Sequence, residues 1–239
     1  MLNCKDEVEI RELVTFYTIY TCIYFPILLL FLTWSDWIYS AGKYEFHSIL
    51  TIIAVVEMTK YFISAIRFKI NDVNLCRRHE DKSLFIVIRS MFARARIKEG
   101  FKTIICVAIM ILVYFVISVL YGAEVFNKHE ETFMFSSLLS VLTIFPICMN
   151  LGSHSLILFL FGSKPHDKLE MLMYQNLYFT ILGAWLGAFV IPLDWDRPWQ
   201  EWPISCSFGA MIGFLFSHVA MTFQIRQGPK KKFKKFNQE

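Results

Sequence analysis

The stretch GAWLGAFVIPLDWDRPWQEWPISCSFGAMIGFLF, Gly183 to Phe216, decides the fold of this chain. Two glycine-spaced apolar runs flank a short knot in which Asp194, Asp196, Arg197 and Glu201 sit among tryptophans and prolines. Charges gathered between segments that avoid water suit a turn at a membrane surface, with the runs crossing the hydrocarbon and the knot left wet. Composition says the same. Of the 239 residues 56% are hydrophobic and 18% charged, whereas soluble domains hold about 45–50% and about 25%. With a mean hydropathy of +0.47, the chain has too little polar surface to cover itself in water. Its solvent is the bilayer, and its length fits a single integral membrane domain, 1–239.

A helix needs about 20 apolar residues to cross the hydrocarbon. Six segments qualify: Leu13–Thr33, Phe46–Ile66, Thr103–Tyr121, Phe133–Leu151, Met171–Ile191 and Ile204–Phe223. The expected fold is therefore all-α and polytopic, with about six transmembrane helices. Pro26 and Pro146 fall inside two of them, which membrane helices tolerate when neighbours re-satisfy the freed backbone groups. The apolar SLILFLF after Gly152 extends the fourth helix, re-enters the membrane or lies in the interface. The acidic start MLNCKDEVEIRE leads into a run without a small-residue cleavage site, so no removable signal peptide is expected. Six cysteines without close spacing suggest neither a disulfide framework nor a zinc site.

Lysine and arginine set the orientation. Twenty fall on one side, ten of them in the 67–102 loop, and three (Lys43, Lys128 and Arg197) on the other. Both termini are thus expected in the cytosol. The knot then lies on the opposite, lumenal or extracellular side, with Asp36, Glu45, Glu124, Glu130 and Glu131. Within the 67–102 loop, Leu84, Phe85, Ile88, Met91, Phe92 and Ala95 share one helical face, flanked by Arg89 and Arg96. That pattern suits a helix on the anionic leaflet, although Ile86 and Val87 interrupt its polar face. The basic tail, 224–239, interleaves lysine with phenylalanine; it suits lipid headgroups and fixes topology, with no nucleic acid as partner.

Gly183 and Gly187 form one G-x-x-x-G, Gly209 and Gly213 another. Small residues four apart let helix backbones approach closely in lipid. Counting about 1.5 Å per residue from Pro192 and Pro203 puts Gly187 level with Gly209, and Gly183 level with Gly213. The grooves face each other across an antiparallel hairpin, or together form a docking face for a foreign helix. The knot caps this 183–216 hairpin. Pro203 suits the first turn of the last helix, and Trp195, Trp199 and Trp202 belong at headgroup level. Asp194, Asp196, Arg197, Pro198 and Glu201 complete either a plain interfacial anchor or a surface read by a partner or a lipid headgroup.

No H-E-x-x-H, C-x-x-C, P-loop or Rossmann glycine pattern occurs, and no G-x-S-x-G elbow. Asp194, Asp196 and Glu201 could hold a divalent cation, but Arg197 among them is a ready counter-charge, and no metal or cofactor is expected. His154 and His218, at or within spans, read as hydrogen-bonded packing residues. Glu57 and Lys60 lie inside the second span at i, i+3, where they can pair with Tyr61 in support. An intramembrane charge marks a functional site by default; the plainer alternative has Lys60 snorkelling outward and Glu57 bound to a neighbouring helix.

The string GAWLGAFVIPLDWDRPWQEWPISCSFGAMIG resembles the C-terminal signature of the PIG-F family. Val119-Leu120-Tyr121-Gly122-Ala123 followed by Glu131-Thr132-Phe133, and the Pro146-containing helix after it, look like that family's pattern between its third and fourth spans. The resemblance covers roughly residues 115–216. It implies a non-catalytic subunit, resident in the endoplasmic reticulum, that stabilises the ethanolamine-phosphate transferases of glycosylphosphatidylinositol (GPI) anchor biosynthesis. PIG-O-like and PIG-G-like catalytic subunits are the implied partners, with membrane lipids around them. No catalytic residues carry over. Two other readings stand beside it: a membrane lipid phosphotransferase using the lumenal acids, and a small transporter whose Glu57–Lys60 pair lines a path.

Overall fold

The computed structural model describes residues 4–76, 94–124, 126–193, 195 and 197–227. These residues are all-helical. The helices are α1 (Cys4–Trp34), α2 (His47–Cys76), α3 (Arg94–Leu120), α4 (His129–Leu142), α5 (Ile144–Leu151), α6 (Ser153–Leu160), α7 (Lys168–Ala188) and α8 (Ile204–Arg226), with single 3-10 turns at Trp37–Ser40, Tyr44–Phe46 and Pro198–Gln200. The amphipathic face expected over residues 84–95 lies almost wholly outside the described residues, and so does the tail from residue 228.

Among the described residues, five spans, not six, are long and apolar enough to cross a membrane: Val8–Trp34, Tyr44–Arg67, Lys98–Leu120, His129–Leu151 and Ile204–Arg226. The expected fifth span corresponds to α7, which has the length at 21 residues but carries Glu170, Gln175, Asn176 and Thr180 along it. Those polar groups dilute its apolar character, and the buried ones serve its neighbours, as described below.

Burial sorts the helices into a centre and a rim. The His129–Leu151 span is 78% buried and Ile204–Arg226 61%, whereas Lys98–Leu120 is only 22% buried. The outer helices α1, α2 and α3 turn rows of large apolar side chains outward, among them Ile23, Ile27, Ile52, Val55, Ile104 and Leu112. In water such rows would drive aggregation; against acyl chains they are neutral, which is how a polytopic membrane protein disposes of its surface. The centre is filled by Phe25, Phe46, Met134, Leu138, Ile144 and Phe214.

The fourth span is broken. Thr143 separates α4 from α5, and Gly152, at φ 83°, separates α5 from α6. The SLILFLF run therefore does not extend the fourth helix. It forms an eight-residue helix that tucks Leu156 and Phe159 inward, too short to cross the hydrocarbon.

Candidate functional site

The helices α7 and α8 form the tightest pair in the molecule, antiparallel and joined by the knot. A Cβ added at Gly183 would collide with the carbonyl oxygen of Gly209, and one added at Gly209 with that of Gly183. Gly187 lies against the Ser205 carbonyl and Gly213 against that of Phe179. Each glycine is thus filled by backbone of the opposite helix, and the seam is held by van der Waals contact at a distance no other residue permits. The pairs that the sequence count sets level are in contact: a Cβ at Gly183 would meet the Gly213 Cα at 3.1 Å as well as the Gly209 carbonyl, and one at Gly209 would meet the Gly187 Cα at 3.3 Å as well as the Gly183 carbonyl. Beyond the seam α7 ends at Ala188, and the chain leaves the helix axis there through turns at Phe189, Val190 and Ile191.

One flank of the seam stays open. An apolar groove of about 720 Å³ runs along it between Phe179 and Leu186 of α7 and Phe208 and Ile212 of α8, with Tyr39 and Trp199 at its knot end.

The knot is organised by a residue that sequence reasoning missed. Gln200 is buried. Its Oε1 accepts from the Arg197 amide at 2.9 Å, while its Nε2 donates to the carbonyls of Val190 at 2.9 Å and Leu193 at 2.6 Å. One side chain thereby ties both halves of the linker. The indole of Trp202 packs edge-on against Phe135 at 5.1 Å and donates to Thr132 Oγ1 at 3.2 Å, anchoring the knot to α4. Buried Pro203 immediately precedes α8, and a Cβ at Gly42 would meet its Cδ at 2.8 Å and Glu131 Cγ at 2.7 Å. The Tyr44 amide donates to Glu130 Oε1 at 2.6 Å. The α1–α2 connection and the knot therefore meet each other and the first turn of α4.

Trp195 and Trp199 behave differently. They pack edge to face at 5.9 Å and remain exposed. Pro198, Arg197 and Glu201 are also exposed, and among the described residues neither charge is ion-paired. Asp194 and Asp196 lie outside the described residues. No group of three or more His, Cys, Asp or Glu side chains gathers among the described ones.

Glu57 and Lys60 form the second polar feature. Lys60 Nζ lies 2.8 Å from Glu57 Oε1 and 2.7 Å from Thr21 Oγ1, fully enclosed, so it does not snorkel. The supporting hydroxyl comes from Tyr24 of α1, which donates to Glu57 Oε1 at 2.6 Å, and not from Tyr61. The Tyr17 ring lies 4.9 Å from the ammonium, and its hydroxyl donates to Asn150 Oδ1 at 2.7 Å. Charge, hydrogen bonds and aromatic faces close around the cation from α1 and α2, and Tyr17 extends the network to Asn150 of α5. The arrangement clamps three helices together and leaves the pair no open passage.

A third polar contact crosses the centre. Pro146 has no N–H, so the carbonyl four residues back, on Leu142, lacks its helical partner. Asn176 Nδ2 of α7 donates to that oxygen at 2.8 Å, while its Oδ1 accepts from Thr180 at 3.3 Å and Ser217 at 3.4 Å. Buried His218 sits beside Ser217, its Nδ1 3.0 Å from the Phe214 carbonyl; His154 is exposed.

The broken fourth span, the glycine seam and the tryptophan knot together occupy the part of the chain that carries the resemblance. The family model for the GPI biosynthesis protein family Pig-F matches residues 21–222. The chain belongs to that family. The match reaches well beyond residues 115–216 and takes in the Glu57–Lys60 clamp. Among Pig-F relatives, a Mus musculus protein described as "GPI ethanolamine phosphate transferase, stabilizing subunit" is 36% identical over 124 residues, 50% of this chain and 56% of its own length. Its Homo sapiens counterpart is 41% identical over 104 residues, 43% of this chain and 48% of its own. A Neurospora crassa relative, "Glycosylphosphatidylinositol anchor biosynthesis protein 11", is 39% identical over 103 residues, 42% of this chain and 36% of its own. The chain thus spans about half the length of the mammalian relatives it matches. No solved structure matches it.

Proposed function

We propose that this Pig-F family member is a non-catalytic subunit that stabilises GPI ethanolamine-phosphate transferases in the membrane of the endoplasmic reticulum. Its partners are large catalytic subunits of the PIG-O-like and PIG-G-like kind, and its contribution is association and not bond-making. The names of the mammalian relatives support the stabilising role. The observation that carries the reading is the apolar groove along α7 and α8, which no described part of the chain covers and which runs up to the exposed pair Trp195 and Trp199.

The glycines act indirectly. Because they lock α7 against α8, the walls of the groove are set before a partner arrives, and little conformational freedom is left to lose on docking. A transmembrane helix of the catalytic subunit lies in the groove, while its lumenal flank meets the tryptophans. In lipid the stabilisation comes from packing, since acyl chains are as apolar as the groove itself.

Affinity purification in mild detergent tests the reading directly. The wild-type chain brings down a large ethanolamine-phosphate transferase subunit. A groove-filled variant, Leu186→Trp with Ile212→Trp, folds but loses it, whereas Ile104→Trp on the outer face of α3 does not. Recovery of the catalytic subunit at wild-type yield by the groove-filled variant sinks the docking site. Transfer of ethanolamine phosphate by the purified chain alone sinks the subunit reading.

A further inference from the structure

At the end of the bundle remote from the knot, a second groove of about 600 Å³ opens along the outer face of α1. Its wall is apolar: Phe16, Ile19, Tyr20 and Ile23 stand at i, i+3, i+4 and i+7, the spacing that puts them on one helical face. Its mouth is cationic. Arg11 of α1 and Arg67 of α2 line it, with Glu12 the one carboxylate among the described lining residues. Arg11 is held by the end of α8, where its Nη2 donates to the Ile225 carbonyl at 3.0 Å, and the remaining guanidinium donors are free to serve a ligand. Both arginines are exposed, and among the described residues neither is ion-paired.

A cationic mouth above an apolar wall asks for an amphipathic anion. We propose that this groove binds one anionic glycerophospholipid, its phosphate held by Arg11 and Arg67 and an acyl chain lying along Phe16, Ile19 and Ile23. A soluble anion would leave the wall unused. An acidic peptide would bring unsatisfied backbone groups to a wall that lies inside the Val8–Trp34 span. A zwitterionic headgroup carries its own cation to the mouth, where, among the described lining residues, two guanidiniums oppose it and one carboxylate, Glu12, attracts it. The groove also opens on the side to which the sequence assigns twenty of the lysines and arginines, the side the positive-inside rule places at the anionic leaflet.

Native mass spectrometry of the full chain in detergent decides the matter, with phosphatidylserine, phosphatidylcholine and inorganic phosphate as probes. One phosphatidylserine remains bound per chain, phosphatidylcholine is lost at the same activation, and inorganic phosphate does not compete. Arg67→Gln, at an exposed position, weakens phosphatidylserine binding about fivefold, the effect of one basic side chain at a lipid surface. Lys102→Gln, an exposed lysine paired with Glu99 on α3, leaves it unchanged. Equal retention of both lipids overturns the proposal. So does an equal loss in Lys102→Gln and Arg67→Gln, which reports diffuse charge, or displacement by inorganic phosphate, which reports a site for the headgroup alone.

Discussion

Asn176 on α7 donates to the Leu142 carbonyl at 2.8 Å, the one carbonyl that Pro146 leaves without a helical partner. A proline in one helix and an asparagine in another are thus two halves of a single device. It explains why a helix at the centre of the bundle carries a polar residue at 1% exposure.

Asn176→Leu removes the donor and strands a buried acceptor, an exchange that costs about 1–3 kcal/mol. Pro146→Ala restores an amide at residue 146 for the same carbonyl. The double variant should therefore be more stable than the sum of the singles, by at least about 0.5 kcal/mol of coupling. Thermal unfolding of the four proteins in one detergent measures this, and strict additivity would mean the two residues act separately.

The Glu57–Lys60 clamp makes a second prediction. Losing one member of a buried pair leaves an uncompensated charge and destabilises by about 3–5 kcal/mol. Lys60→Met and Glu57→Gln should each fold poorly, while the double variant recovers much of the loss because neither charge remains. Unfolding midpoints for the three variants check this. If the double variant proves worse than both singles, the pair does more than hold α1, α2 and α5 together.

Much of this architecture is legible in the sequence, for identifiable reasons. The glycine pairs announce a close seam because only glycine allows it, and the i, i+3 spacing of Glu57 and Lys60 announces a pair. Counting from the two prolines brings Gly187 to Gly209 and Gly183 to Gly213, which do touch, although nothing in the sequence says that α7 stops at Ala188, four residues before Pro192. Sequence favours Tyr61 over Tyr24 because spacing along one helix is visible and packing between helices is not. Gln200 carries no signal at all: its three hydrogen bonds exist only once the linker has folded back on itself. Asn176 could be sought, since a proline within a span always leaves a carbonyl four residues behind it in need of a donor.

The seam gives a third prediction. Gly183→Ala places a Cβ against the Gly209 carbonyl, and overpacking of this kind costs about 1–3 kcal/mol. Gly100→Ala is the control, because nothing lies within 4 Å of its would-be Cβ and alanine favours the helix. The first variant should unfold at lower temperature and the second at the wild-type temperature or above. Equal midpoints would show that the helices can part by about an ångström, the distance the clash demands, without penalty.

The knot separates what holds the subunit together from what faces a partner. Gln200 is buried and adds a second donor to two linker carbonyls that otherwise accept only the Leu193 and Trp195 amides, while its own oxygen serves the Arg197 amide, so Gln200→Ala removes three hydrogen bonds and should lower stability by about 1–3 kcal/mol. Trp195 is 57% exposed and touches Trp199, which is 37% exposed and lines the knot end of the groove. Replacing both by alanine removes that contact but no side-chain hydrogen bond among the described residues, and should lower the unfolding midpoint less than Gln200→Ala does. If the tryptophans meet a catalytic subunit, the same double replacement sharply reduces co-purification, because large aromatic anchors carry a disproportionate share of interface energy. Measuring midpoint and co-purification on the same preparations resolves the two roles. A tryptophan-less knot that keeps its partner in full, on a protein of unchanged stability, would return the pair to the simpler task of anchoring the hairpin at the headgroup layer.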